Sequence, residues 1–397
     1  MPAAVGLLTR ATLLLRDDPV GRLRLAPALG AALLEVGELV RAEGVLSRAI
    51  EEASAVGARE IELRARLRLA LIEMRTDPSR GADEIGRVAD EAIEVFQELG
   101  DEAGLADAWN MLSHVHWMRS QWSRRTDALE HALVHARRAG DRRREGHMLG
   151  ALTVSLLWGS TPVPEAIRRC EEFVAQLEGD RVLEARVTIV VAELEARRGN
   201  LERAHELYLR GQGLLEELGL LLYVGIYTQS GGVIRMLAGD YEGAERELRR
   251  GYEILRRMGE KASLSTGAAL LSRALCEQDR FEESDRFAAV SEAAAGAEDW
   301  TTHVIVESTR AKALAQRGEY EAAEERARHA VALAERTDAL AMHGDALADL
   351  AEVLRLAGRD REAAEALDQA LDLYAQKGST VSRDRAQRAL AALAATR

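Results

Sequence analysis

The chain has 397 residues, with 53 Lys and Arg against 66 Asp and Glu, 6 prolines, 4% aromatic and 47% hydrophobic residues. This aromatic-poor, helix-forming composition excludes a β-rich fold, and a formal charge of -13 opposes a phosphate-backbone partner unless charge is strongly segregated. No apolar stretch is long enough to span a bilayer, no small-residue cleavage site follows a clean apolar core at the N-terminus, and Cys170 and Cys276 stand too far apart to form a ligand pair, so a reducing, cytoplasmic setting is expected.

Residues 1–19 predict a half-repeat. Ala4 to Leu15 reads as a second helix whose first helix is missing, with Leu7, Leu8, Leu14 and Leu15 in need of a partner. That partner is either the hairpin from Val20 to Val56, which would make the segment a capping helix, or something upstream of it or a second copy of the chain. Asp17, Asp18 and Pro19 form the turn into the first full hairpin, and Pro27 is expected to kink its leading helix.

Residues 20–379 predict about nine helical hairpins. A tag of glycine, then leucine or an aromatic two residues on, then alanine after three more, stands at Gly37, Leu39 and Ala42, at Gly199, Leu201 and Ala204, at Gly239, Tyr241 and Ala244, and at Gly318, Tyr320 and Ala323. Weaker copies fall at Ser120 with Trp122, at Gly159 with Pro162 and Pro164, at Asp279 with Phe281 and Ser284, and at Gly358 with Ala363. From residue 120 onward these anchors recur every 39 or 40 residues, and a missing one falls near Asp77 and Pro78, where proline itself would make the turn. A second phase, Gly100, Gly140, Gly179, Gly219, Gly259 and Gly378, marks helix stops at the same step or a multiple of it. Small residues flank the anchors on both sides, among them Gly30, Gly232, Gly211 and Gly251, which would let the helices of a hairpin approach closely. Residues 380–397 predict a capping helix, with Arg383, Arg385, Arg388 and Arg397 on a wet face beside Ala386, Leu390 and Leu393.

With small residues at the crossings and a glycine-aromatic-alanine turn, the chain resembles tetratricopeptide-repeat proteins. Its unit of roughly 40 residues is longer than the familiar one of about 34, and is similar to the maltose-regulator type found C-terminal to ATPase modules in bacterial signalling and transcription regulators. The resemblance implies an all-α, right-handed α-solenoid of about nine hairpins closed by a capping helix. It also implies a non-enzymatic scaffold that binds a protein segment or small effector in its concave groove. The alternative is the C-terminal sensor of a multidomain ATPase, adenylate cyclase or transcription regulator.

The family's groove positions, counted back from each anchor, pick out Asp107, Asn110, His114 and Trp117, then Arg186, Glu193 and Arg197, then Gln229 and Val233, Thr266 and Arg273, and Ser308 and Lys312. Arg186, Arg197, Arg273 and Lys312 give that groove a basic bias, which invites an acidic peptide or a small anion. Trp109, Trp117 and Trp122, with His114 and His116, concentrate aromatics in one hairpin, where Trp117 is the member expected to face the groove. No phosphate-binding loop and no Gly-x-Ser-x-Gly elbow occurs. His131 and His135 lack a third metal ligand. The basic run of Arg137, Arg138, Arg142, Arg143 and Arg144 reads as a solvated turn beside a helix C-terminus. No cofactor is expected, and neither direct nucleic-acid nor membrane binding; an enzymatic site would need a base such as His114 or Glu193 tuned by burial.

Overall fold

A computed structural model describes residues 2–15, 17–77 and 80–395, so Pro78 and Arg397 of the sequence reading lie outside the described residues. Helix α1 (Pro2–Leu14) leads into nine hairpins: α2 (Pro19–Glu35) with α3 (Leu39–Ala55), α4 (Arg59–Thr76) with α5 (Ala82–Leu99), α6 (Glu102–Met118) with α7 (Trp122–Arg138), α8 (Arg142–Trp158) with α9 (Val163–Gln176), α10 (Arg181–Arg197) with α11 (Leu201–Glu217), α12 (Leu221–Ala238) with α13 (Tyr241–Met258), α14 (Ala262–Cys276) with α15 (Phe281–Ala294), α16 (Trp300–Gln316) with α17 (Tyr320–Ala334), and α18 (Leu340–Leu356) with α19 (Asp360–Lys377). Helix α20 (Thr380–Ala395) follows, and the described residues contain no strand. The result is an all-α, right-handed superhelix of stacked hairpins. No helix among the described residues is long and apolar enough to cross a membrane.

Both glycine phases are turns in the left-handed region. Gly37, Gly199, Gly239, Gly318 and Gly358 have positive φ, as do Gly57, Gly100, Gly140, Gly179, Gly219, Gly259 and Gly378. The only described non-glycine residues with positive φ are Ser120 (51°) and Asp279 (58°), which are weak copies of the anchor. Gly159, in the proline-containing unit, is instead extended, with φ -75° and ψ -165°. After several of these stops an aspartate starts the next helix: Asp101, Asp141 and Asp180 each accept a backbone N–H of the first turn.

Second helices carry one apolar stripe, as in α13, where Ala244, Leu248, Gly251 and Leu255 are buried at helical spacing. First helices are buried on more sides because they meet their own partner and the neighbouring hairpins; α10 buries every residue from Ile189 to Arg197. Gly251 shows why small residues recur at the crossings, since a Cβ there would meet the carbonyl oxygen of Gly225 at 2.9 Å. At the N-terminus α1 packs on α2 with Val5 buried, while Leu7 and Leu14 stay exposed.

The superhelix is tight enough for its second turn to rest on its first. Contacts join α2 to α12, α4 to α14, α8 to α18 and α10 to α20, so hairpins five apart in sequence meet. The seam is made largely by charges and donors placed on helix ends. Lys377 Nζ donates to the carbonyls of Leu156, Gly159 and Thr161 at 3.0, 2.6 and 2.8 Å, around the end of α8. Asp338 accepts the backbone N–H groups of Trp122 (2.8 Å) and Ser123 (2.6 Å), which cap α7 where its own N-cap residue, Gln121, makes no side-chain capping bond. The Lys261 amide donates to the Arg75 carbonyl (2.6 Å), and Arg385 Nη2 to the carbonyls of Met236 and Leu237. Apolar packing reinforces the seam where Trp122 joins Val304, Leu333, Ala339 and Met342.

Candidate functional site

First helices face the axis, and stacking the two turns converts the open groove of a solenoid into a partly enclosed lumen with chambers along it. The central chamber, about 230 Å³, takes its wall from both turns. His114 and Trp117 of α6, Arg186 and Glu193 of α10, Gln229 of α12 and Thr266 of α14 all line it. A second chamber of about 520 Å³ lies toward the N-terminal hairpins and shares Arg75, His114, His147 and Tyr223 with the first; it holds Asp107 and Asn110. A third of about 650 Å³ lies toward α20 and is lined by Arg273 and Lys312. Arg197 and Ser308 are buried outside the walls of all three.

Most of the cations expected to make the groove basic have carboxylate partners. Arg197 donates to Glu193 at 2.7 Å. Arg273 grips Asp349 through both terminal nitrogens, and Lys312 donates to Glu277 (2.5 Å) with Glu352 at 3.0 Å. The third chamber is therefore neutralised from within. In the second, Asp107 is the hub: it accepts Arg68 of α4 at 2.8 Å and two bonds from Arg144 of α8, each at 3.0 Å. Burial alone would raise the Asp107 pKa, but the Arg68 charge and the Arg144 bonds outweigh it and hold the carboxyl below its usual range.

Arg186 is the exception among the expected groove cations. It is 5% exposed, donates to the Tyr227 hydroxyl and the His147 carbonyl, both at 3.3 Å, and lies 5.0 Å from the Tyr223 ring centre. No carboxylate among the described residues pairs with it. The two chamber histidines are held neutral: burial, then the charges of Arg75 and Arg125, push His114 well below its ordinary value, and burial with Arg186 pushes His147 down to about 3.

Several wall residues were not foreseen. Arg125 and Trp122 belong to α7, a second helix, whereas groove positions were sought on first helices only. Trp158, stacked on Trp122 with ring centres 5.9 Å apart, ends α8 in the degenerate proline-containing unit, which supplied no candidates. Tyr227 and His147 fall between the counted positions, and Tyr223 lies before the first of them. Trp117 lines the chamber and Trp122 is buried. Trp109 stacks on His131 at 4.4 Å, and His135 bonds Glu102, so the histidine pair is occupied by packing and an acid. Among the described residues no cluster of three metal-ligating side chains occurs. Four of the five arginines of the run are paired as well: Arg137 with Glu145, Arg138 with Glu102, Arg143 with Glu35, and Arg144 with Asp107 and Asp141.

No family model matches the chain, and no curated protein matches it. Solved structures do. A Rap protein complexed with competence and sporulation factor superposes with a TM-score of 0.65 at 13% identity, over 90% of this chain and 98% of the other. Aspartyl phosphate phosphatase F from Bacillus subtilis superposes with a TM-score of 0.51 at 11% identity, over 88% and 93%. At such identities the likeness is one of fold, and with the repeat geometry it makes the chain a tetratricopeptide-type helical-repeat array.

Proposed function

We propose that this chain is a non-enzymatic binding scaffold that takes an effector into its lumen and acts in bacterial signalling or transcriptional control. The observation that carries the reading is the central chamber, whose wall is assembled from helices of both superhelical turns. An effector seated there touches both turns at once, so its binding energy favours the closed register over any opened one, and occupancy is transmitted to the outer helices. The fold-level neighbour solved with competence and sporulation factor supports an effector-binding role for this architecture. The bases that an enzymatic reading would draw on first, His114 and Glu193, are poorly placed for proton transfer, which favours a binding role. His114 and His147 bind protons too weakly to act as general bases near neutral pH, and Glu193 is tied to Arg197.

The test is native mass spectrometry of the full chain, captured gently from its own cells. The expected result is a non-covalent small-molecule adduct that disappears in Ala151→Trp, because Ala151 lines the chamber and an indole there would fill it. An adduct that survives Ala151→Trp unchanged would place the effector elsewhere and overturn this reading.

A further inference from the structure

One wall position breaks the rule of the repeat. The residue five places after an anchor is Ala42, Ala204, Ala244, Ser284, Ala323 and Ala363 in other units, and each of these is buried. After Ser120 the same place holds Arg125, which is also buried, at 5% exposure. A guanidinium stands where the hairpin crossing otherwise takes a methyl group or a hydroxymethyl.

No ion pair to it is found among the described residues. Arg125 Nη1 donates to Ser155 Oγ at 3.0 Å, its guanidinium lies 5.7 Å from the Trp122 ring centre, and its buried Nε has no partner among the described residues. Arg186 faces the same chamber, likewise with no carboxylate in contact among the described residues, and its charge adds to burial in lowering the proton affinity of Arg125. Of the acids nearby, Glu298 bonds Arg119, Glu260 bonds Arg75, and Asp299 accepts the Thr302 amide and the Ser265 hydroxyl. A guanidinium has five N–H groups; protein acceptors take one from Arg125 and two from Arg186. The buried Trp122 Nε1, a donor, is unpartnered too, so the wall holds donors in excess of acceptors. Gly150 clears the space for Arg186, since a Cβ there would collide with the Arg186 Nη1.

A buried cation without a counter-charge is costly to fold around, and two in one chamber mark the place of an anion. The rest of the wall is aromatic, with Trp117, Trp158 and Tyr223. A volume of about 230 Å³ lies between the roughly 150 Å³ cavity that holds benzene and the ~300 Å³ at which drug-sized sites begin, so it suits one or two rings.

Resting on the effector-binding reading, we propose that the central chamber binds a small aromatic carboxylic acid, its carboxylate between Arg125 and Arg186 and its rings against Trp117, Trp158 and Tyr223. The arginines supply charge-assisted hydrogen bonds to the two oxygens, and the rings supply burial and stacking.

The test is isothermal titration calorimetry of the full chain in Tris chloride with three probes: 2-naphthoate, its neutral isostere 2-naphthamide, and inorganic phosphate. The expected result is binding of 2-naphthoate at least ~10-fold tighter than of the amide, with Arg125→Gln and Arg186→Gln each weakening 2-naphthoate by roughly 30-fold or more. Gly150→Ala keeps both charges and improves helix propensity, yet it displaces Arg186, and a similar loss is expected with far-UV circular dichroism unchanged. Equal binding of acid and amide overturns the anion assignment while leaving the lumen an effector site. Phosphate bound as tightly as 2-naphthoate overturns the aromatic part. No binding of any probe overturns the proposal whole, and the Ala151→Trp adduct measurement then decides separately whether the lumen holds an effector at all.

Discussion

Arg125→Met should make the protein more stable while abolishing its use. Burial, with repulsion from Arg186, pushes the Arg125 guanidinium well below its ordinary value, down to about 9. Each tenfold change in proton affinity is worth about 1.4 kcal/mol, which puts the upper cost of holding the charge near 5 kcal/mol. For a base with a depressed folded value that cost is full below about 9 and fades only as pH rises from there toward the ordinary guanidinium value, so at pH 7.5 it acts in full. Against it stand the stacking on Trp122, worth about 1–2 kcal/mol, and the bond to Ser155, about 1 kcal/mol. Methionine is flexible enough to fill the space and keep the contact with the ring. The balance is a gain of roughly 1–3 kcal/mol for Arg125→Met without ligand, read as a higher urea midpoint in Tris chloride, because phosphate and sulfonate buffers would supply the anion. A lower midpoint by more than about 1 kcal/mol would show that Arg125 is a structural strut and would refute the reasoning.

Asp107→Asn removes the carboxylate that joins α4, α6 and α8, and should cost about 3 kcal/mol at neutral pH by leaving Arg68 and Arg144 without it. Since the folded Asp107 pKa lies below its ordinary 3.8, the stabilisation is present above that value and fades as pH falls through the lower one; urea melts of the two proteins should converge in that acid range and differ most above pH 5 or so. Lys377→Met leaves three carbonyls at the end of α8 without their donor and should destabilise by roughly 2–4 kcal/mol, with faster amide exchange confined to α8, α19 and α20; uniform exchange would contradict a seam role. Asp279→Gly relieves a left-handed residue at an exposed turn and should raise stability by about 0.5–1 kcal/mol, visible as a small upward shift of Tm.

The turns were legible because they depend on single residues. A left-handed backbone selects glycine, and its spacing marks the hairpins even where Ser120 and Asp279 replace it. The inner helices were legible by the same count, which is why His114, Trp117, Arg186, Glu193, Gln229 and Thr266 come together in one chamber. The superhelical pitch was not, since it sums small rotations over five hairpins, and with it went every contact between residues such as Lys377 and Leu156 or Trp122 and Asp338. The pairing of Arg273 with Asp349, 76 residues away, was hidden because charge was counted along one set of positions and not across the lumen. Arg125 did leave a trace: an arginine at the tag's alanine place contradicts the packing rule that makes the tag.

A simple solenoid is quasi-one-dimensional, each repeat touching only its neighbours. Here hairpins five apart are bonded through helix ends, and the chamber lies between the two turns that those bonds join. The energies are of matching size. A seam bond such as that of Lys377 is worth a few kcal/mol, and an effector at a hundred times its Kd adds about 2.7 kcal/mol to whichever state binds it. An effector that needs Arg125 on one turn and Thr266 of α14 across the lumen binds the closed register alone, so filling the chamber is equivalent to adding one more seam contact. Burial of the Arg125 charge weakens that register when the chamber lacks an anion, and a bound anion relieves it, which makes the register of the turns, and so the outer surface of the array, a function of ligand concentration.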